Sequence, residues 1–264
     1  MNSRLLSLLL VFSLVLVFCS CEGDGDSLLF QNNFDNNTVG MYSVNALNAG
    51  WGSPNWNRGV SEGRVAIISG ADAYSGESLR VSYPVGAVGM GAGGAGWRTQ
   101  IAPHDIIYLS YRIKFKNGYD FVRGGKLPGL GGGRANTGGG RPTGDGWSVR
   151  FMWRDSGTMS TYVYHMDQPR NYGEHFDASV KFSPGKWHLV KMRIKMNTPG
   201  IRDGSLAGWL DGKQVIEVGG LRFRSNSSTK IDKILFETFF GGSGASYAPT
   251  RNEYVDFDDF MVWQ

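Results

Sequence analysis

The stretch WSVRFMWRDSGTMSTYVYH, residues 147–165, decides the fold. Apolar and polar side chains alternate on both sides of a short Gly-containing interruption, which is the period-two signature of paired strands. The pattern predicts a strand Trp147–Arg154, a five-residue turn Asp155–Met159 and a second strand Ser160–His165. Pairing Arg154 with Ser160 puts directly opposed residues on one sheet face. Every even-numbered position then points the same way. Ser148, Arg150, Met152, Arg154, Tyr162 and Tyr164 share a polar face, while Val149, Phe151, Trp153 and Val163 form the core face. A slip of one residue would separate the tyrosines from Arg150.

The same alternation extends outward from this hairpin. Leu109, Tyr111, Ile113 and Phe115 alternate with Ser110, Arg112 and Lys114; Val190, Met192, Ile194 and Met196 alternate with Lys191, Arg193 and Lys195. Each set predicts a strand with one apolar face. Gly208–Glu217 reads as a hairpin, because Asp211-Gly212 suits a type I′ turn. Ile231–Phe240 and Tyr254–Trp263 predict two more strands. No long segment carries the spacing of an amphipathic helix, and 39 glycines punctuate the runs. The chain reads as all-β, a single sandwich domain over residues 28–264 with no internal repeat or linker. A G-x-G-x-x-G match at Gly89, Gly91 and Gly94 needs a helix behind it to cradle a nucleotide. Trp97–Gln100 reads as a strand instead, so Val88–Gly96 is expected to be a flexible loop.

The first residues bear on the compartment. Leu5–Phe18 is an apolar run broken only by Ser7 and Ser13, with Arg4 as the one preceding cation. It is too short for a stable membrane span and has the proportions of a signal-peptide core. Ser20-Cys21 and the acidic, Gly-rich Glu22–Asp26 follow. A small residue before Cys21 resembles the bacterial lipobox. That implies a signal peptide over residues 1–20, a lipidated Cys21, a tether over 21–27, and export to the periplasm or cell surface. Membrane contact is then through the lipid anchor alone. The chain has two cysteines, Cys19 and Cys21, so the folded part has no disulfide framework and no cysteine metal site.

With 27 Lys and Arg against 23 Asp and Glu, and a formal net charge of +4, the chain suits an anionic partner. Outside the cell, acidic polysaccharide fits that better than nucleic acid, and a monomer is expected. His104, His165, His175 and His188 are isolated, without the spacing of a zinc site. His165 follows Tyr164 onto the opposite face, which suits a core or rim position. Asp256, Asp258 and Asp259 read as a charged sheet edge or strand end rather than a metal site. No cofactor is expected.

The polar face of the hairpin gathers a hydroxyl, two guanidiniums and two phenols. A solvated sheet face accounts for such residues equally well from spacing alone, and Lys126, flanked by glycines and close to Pro128, reads in isolation as a loop lysine. However, GGKLPGL (124–130), WSVRFMWR (147–154) and YVY (162–164) together resemble polysaccharide lyase family 14, whose members include alginate lyases and glucuronan lyases. The order and spacing of Lys126, Ser148, Arg150, Tyr162 and Tyr164 resemble that family's functional set. The resemblance implies a β-jelly-roll sandwich with its active cleft on one concave sheet. It also implies β-elimination on a 4-linked uronate polysaccharide, with alginate first and glucuronan or another polyuronate as the alternative.

Such a reaction removes the C5 proton of a uronate and expels the C4 oxygen. Something must neutralise the adjacent carboxylate, something must take the proton, and something should protonate the leaving oxygen. Arg150 suits the first role, because a guanidinium stays charged and grips a carboxylate with two donors. Tyr162 and Tyr164 are candidates for proton transfer, since neighbouring cations ease ionisation of a phenol. Lys126 is open to two roles, base or second carboxylate clamp. Lys126 and Tyr164 are the favoured proton-transfer pair, with Ser148 and Tyr162 orienting the sugar. Arg98, Arg134, Arg141 and Arg154 are candidates for holding further carboxylates. The rival of a different class is a non-catalytic carbohydrate-binding jelly-roll or a hydrolase. A retaining hydrolase needs two carboxyl groups about 5–5.5 Å apart. Glu237 and Glu253 stand alone, and no E-x-D-x-x-E run is present.

Overall fold

The structure is a computed structural model that describes residues 27–264. The expected signal peptide, Cys21 and nearly all of the tether lie outside the described residues. In chain order the strands are β1 (Leu28–Asn32), β2 (Gly40–Met41), β3 (Asn57–Arg58), β4 (Val65–Ser69), β5 (Glu77–Tyr83), β6 (Ala95–His104), β7 (Ile106–Phe115) and β8 (Gly124–Gly133). They continue with β9 (Gly146–Arg154), β10 (Thr158–Tyr164), β11 (Glu174–Lys181), β12 (Trp187–Lys195), β13 (Gly204–Leu210), β14 (Lys213–Leu221), β15 (Ile231–Phe240) and β16 (Glu253–Trp263). Two antiparallel sheets result, stacked as a jelly-roll sandwich. The nine-stranded sheet runs β14-β13-β12-β7-β16-β5-β4-β2, with β1 also paired to β16; the seven-stranded sheet runs β11-β10-β9-β8-β15-β6-β3.

Period-two alternation explains the packing. On β12, Val190, Met192 and Ile194 are fully buried while Lys191, Arg193 and Lys195 face outward. Their inward neighbours on β7 are Ile107, Leu109, Tyr111 and Ile113; Val149, Phe151 and Trp153 of β9 meet them from the other sheet. Trp97 stacks on Phe236 at 3.9 Å between ring centres, and Trp51 packs edge-on against both. Trp51 comes from α1 (Val44–Trp51), which is started by Ser43, whose Oγ accepts from the Ala46 N–H, and ended by Gly52 in the left-handed conformation. Each such core side chain contributes about 1.5–3 kcal/mol through burial. That core is the platform on which the outer faces are displayed.

The hairpin forms with a register two residues from the expected one. Ser160 pairs with Met152, Tyr162 with Arg150 and Tyr164 with Ser148. The connection is only Asp155–Gly157, where Ser156 and Gly157 are left-handed, so β10 starts at Thr158 and ends before His165. A shift of two leaves every side chain on its expected face, and the polar face survives the correction. The Asp211-Gly212 turn has φ of 51° and 83°, the two left-handed positions that a type I′ turn requires.

Three local expectations are corrected. Gly89–Ala92 forms a single helical turn, and Ala95-Gly96 already belongs to β6. Lys126, which in isolation reads as a loop lysine, lies in β8. The Asp256 and Asp258 pair is not at a sheet edge: β16 lies between β7 and β5, and both side chains are buried. Asp256 is held by Arg80 at 2.7 Å and lies 3.6 Å from Lys114, and Asp258 accepts from Ser78.

Candidate active site

The central position of β8, between β9 and β15, depends on its glycines. A Cβ on Gly125 would lie 2.1 Å from the Trp153 ring, and one on Gly129 would lie 2.1 Å from the Val149 carbonyl. Both distances are prohibitive, so only a glycine-rich strand can pass here. Pro128 cannot donate to a ladder. It sits where pairing with both neighbours is interrupted, between Lys126 and Gly129 on the β9 side. Its carbonyl accepts instead from the Tyr111 hydroxyl at 3.1 Å, which ties the bulge to the core. The bulge follows Lys126, which pairs with Met152 and lies on the face of the even-numbered β9 residues.

That face is the floor of a groove of about 600 Å³. Lys126 Nζ lies 3.3 Å from Met152 Sδ and 3.9 Å from the centre of the Tyr162 ring. It has no carboxylate partner among the described residues. Burial pushes the Lys126 ammonium well below the ordinary lysine range, and the positive Arg150 and Arg154 push it further. Arg150 is buried beside it, with Nη1 donating to Glu237 Oε2 at 2.7 Å and Nε left without a partner. Arg98 donates to the other Glu237 oxygen at 2.9 Å, so one carboxylate bridges two guanidiniums. Arg154 approaches the His175 ring at 3.4 Å, and that ring lies over Tyr162 at 4.6 Å between centres. Burial first, then Arg154 and Lys126, push the His175 imidazolium down to about 4.

Tyr162 and Tyr164 meet edge to face at 5.4 Å. The cations do not ease ionisation of Tyr162 as expected: burial raises its phenol, outweighing the opposing effect of Arg150. Tyr164 is fully covered, and its oxygen accepts from the Gly139 N–H at 2.9 Å, which leaves its own proton free to donate. Ser148 is fully buried and its hydroxyl donates to the Asn136 carbonyl at 2.6 Å. It anchors the loop over the groove rather than lining it.

Of the four arginines proposed to hold further carboxylates, Arg98 and Arg154 line the groove. Arg134 is exposed and pairs with Asp145 at 3.2 Å, and Arg141 donates to the Pro169 carbonyl; the groove lining includes neither. His165 lies beyond the groove, buried and 2.8 Å from Glu174. The groove also contains residues not expected from sequence: Glu237, Arg123, His175 and the aromatics Trp56, Tyr172 and Tyr247. Five Lys or Arg side chains face one carboxylate there, a field that concentrates a polyanion.

A β-sandwich with a cationic groove, a lysine depressed by burial and by neighbouring guanidiniums, and paired phenols suits an acidic polysaccharide. The model of the family "Polysaccharide lyase 14" matches residues 71–260. The chain belongs to polysaccharide lyase family 14 and is a lyase. Among solved structures it resembles alginate lyase Aly36B, with 29% identity, a TM-score of 0.76, and coverage of 89% of this chain and 96% of that one. A variant of Aly36B with a lysine and a tyrosine replaced by alanine, in complex with an alginate tetrasaccharide, matches at 28% identity and a TM-score of 0.78 over the same shares. The marine PL-14 alginate lyase from Aplysia kurodai matches at 25% identity and a TM-score of 0.77, covering 89% of this chain and 98% of that one. A curated relative, exolysin of Paramecium bursaria Chlorella virus 1, is 26% identical over 118 residues, which are 42% of this chain and 18% of that protein's length.

Proposed function

We propose that this chain cleaves alginate by β-elimination in the groove of the seven-stranded sheet, leaving an unsaturated uronate at each new non-reducing end. The observation that carries the reading is the setting of Lys126: an amine beside two guanidiniums, with no carboxylate partner, on the floor of a cationic groove. An amine driven toward its neutral form can accept a proton as a base. Arg150, which lines the groove, takes the substrate carboxylate and stabilises the charge that spreads into it as C5 is deprotonated. The C5 proton moves to Lys126 Nζ, the C5–H electron pair becomes the C4–C5 double bond, and the C4–O bond breaks. Tyr164 gives its proton to the leaving oxygen and regains one from solvent or from Lys126. Tyr162, held protonated by burial, orients the sugar by hydrogen bonding.

Alginate is favoured over other polyuronates because the solved relatives at 25–29% identity are alginate lyases, one of them holding an alginate tetrasaccharide. Hydrolysis lacks its apparatus, since the groove presents a single carboxylate and two arginines occupy it. Mass spectrometry of the products tests the reading. Elimination yields one fragment of each pair lighter by one water than hydrolysis does, and a full set of saturated products would refute it. We also propose export as a lipoprotein anchored through Cys21; the apolar run Leu5–Phe18 and the small residue before Cys21 support it. Metabolic labelling with a fatty acid that is lost on Cys21→Ser tests the anchor.

A further inference from the structure

The outer face of the nine-stranded sheet, on the opposite side of the sandwich from the groove, has a chemistry of its own. β12 projects Lys191, Arg193 and Lys195 from that face while its other residues enter the core. Alternate residues of a strand are about 7 Å apart, so the three cations form a row. The cross-strand register sets aromatic rings beside it. Trp209 of β13 is opposite Lys191, and Tyr108 of β7 is opposite Arg193. Trp263 of β16 pairs with Tyr108, and their rings stack at 5.4 Å and 9°. Lys191 Nζ lies 4.4 Å from the Trp209 ring centre.

None of the three cations has an ion-pair partner among the described residues. Glu217 accepts from Gln214 at 3.0 Å, and Asp203, whose carboxylate also feels the Lys195 charge, accepts from the backbone and hydroxyl of Thr198. Solvation alone would explain a row of lysines and arginines. It does not explain partly exposed Trp209, Tyr108 and Trp263 set beside them. Lys191 and Arg193 lie over the Trp209 and Tyr108 rings at 4.4 and 5.9 Å. Such rings beside cations that lack an ion pair match a pyranose chain carrying one carboxylate per sugar, with sugars against the aromatics and carboxylates on the cations.

We propose that Lys191, Arg193 and Lys195, with Trp209, Tyr108 and Trp263, form a second polyuronate-binding surface, which holds long chains without cutting them. The identity of the ligand rests on the reading of the groove given above. The surface raises the local concentration of polymer, so it matters for long chains and not for short oligosaccharides that fill the groove alone.

The test compares the wild type, the triple variant Lys191→Gln/Arg193→Gln/Lys195→Gln and the single variant Trp209→Ala. Turnover on an alginate tetrasaccharide is expected to stay within twofold of the wild type in both. On long alginate at low salt, KM is expected to rise about tenfold in the triple variant, as for loss of several exposed charge contacts. It should rise several-fold in Trp209→Ala, and the charge effect should fade at high salt. Retardation in native gels containing alginate is read on the same variants. If the wild type fails to cleave any polyuronate, the function of the groove is wrong, while gel retardation still decides this surface. Retardation and polymer KM equal to the wild type in both variants would overturn the proposal. So would binding to phosphatidylglycerol vesicles that the triple substitution abolishes while polymer binding is unchanged.

Discussion

Lys126→Met separates catalysis from stability. The methionine keeps the length of the stem and its contacts with Met152 and Tyr162 while removing the amine. Loss of a positioned base is worth about 10²–10⁴ in rate, and kcat on alginate should fall by that factor. Stability should move the other way. The folded protein holds this ammonium beside Arg150 and Arg154 without a carboxylate, and its protonation is disfavoured relative to the unfolded chain. Replacing it by an apolar side chain should stabilise by about 1–2 kcal/mol, as for other active-site groups kept at the expense of stability. At about 2–4 °C per kcal/mol for a domain of this size, Tm rises by roughly 2–8 °C. The pH dependence follows from linkage. Below the folded value of Lys126 both states carry the proton and the wild type bears its full penalty. As pH rises toward the unfolded value of about 10.4 the penalty disappears, so the gain from methionine is largest at low pH and vanishes in strong base. Turnover by ultraviolet absorbance and Tm by circular dichroism at two pH values measure both effects. Activity within tenfold of the wild type, or a Tm that falls, would refute the base assignment and the argument behind it.

Glu237→Gln leaves Arg98 and Arg150 with one neutral acceptor in place of a shared carboxylate. Urea unfolding should show a loss of about 2–4 kcal/mol, as for uncompensated buried charge, with kcat changing more than KM; a variant as stable as the wild type would contradict this. Asp258 is buried and its carboxyl is pushed up to about 7, so the folded state binds a proton that the unfolded chain releases near pH 4. Stability is therefore lost progressively as pH rises from about 4 to 7, and Asp258→Asn should match the wild type near pH 4, gain on it across that range and exceed it by roughly 3–4 kcal/mol at pH 8. Equal stabilities at pH 8 would show that burial does not govern this carboxyl. His175 should titrate by NMR with a midpoint near 4 and stay neutral in the groove above pH 5; a midpoint at or above 6.5 would place it outside the field of Arg154 and Lys126.

Period-two alternation carried the fold. It located β7, β12, β15 and β16 closely; β12 alternates strictly between buried and partly exposed positions, whereas Ile234–Thr238 of β15 and Val255–Asp258 of β16 are buried on both faces. It also kept the faces of β9 and β10 correct through a two-residue error in register, since parity survives an even shift. β8 was illegible for a physical reason: its glycines and Pro128 are loop signals, and only the closeness of Trp153 and Val149 explains them. Helix α1 is short, and its signals, Ser43 and Gly52, lie outside any sustained apolar period. In the site, Lys126, Arg150 and the tyrosines were legible from the family motif. Glu237 was not, because its partners Arg98 and Arg150 are 139 and 87 residues away along the chain. Ser148 was placed on the right face, but only the structure shows that its hydroxyl faces Asn136 rather than the groove.

The most direct test of the central claim is ultraviolet absorbance of the C4–C5 double bond during incubation of the purified chain with polymannuronate, polyguluronate, glucuronan and a neutral glucan. Elimination predicts a rise on an alginate block and none on the neutral glucan. A flat trace on every polyuronate, with new reducing ends on any polymer, would contradict it and assign the groove to hydrolysis.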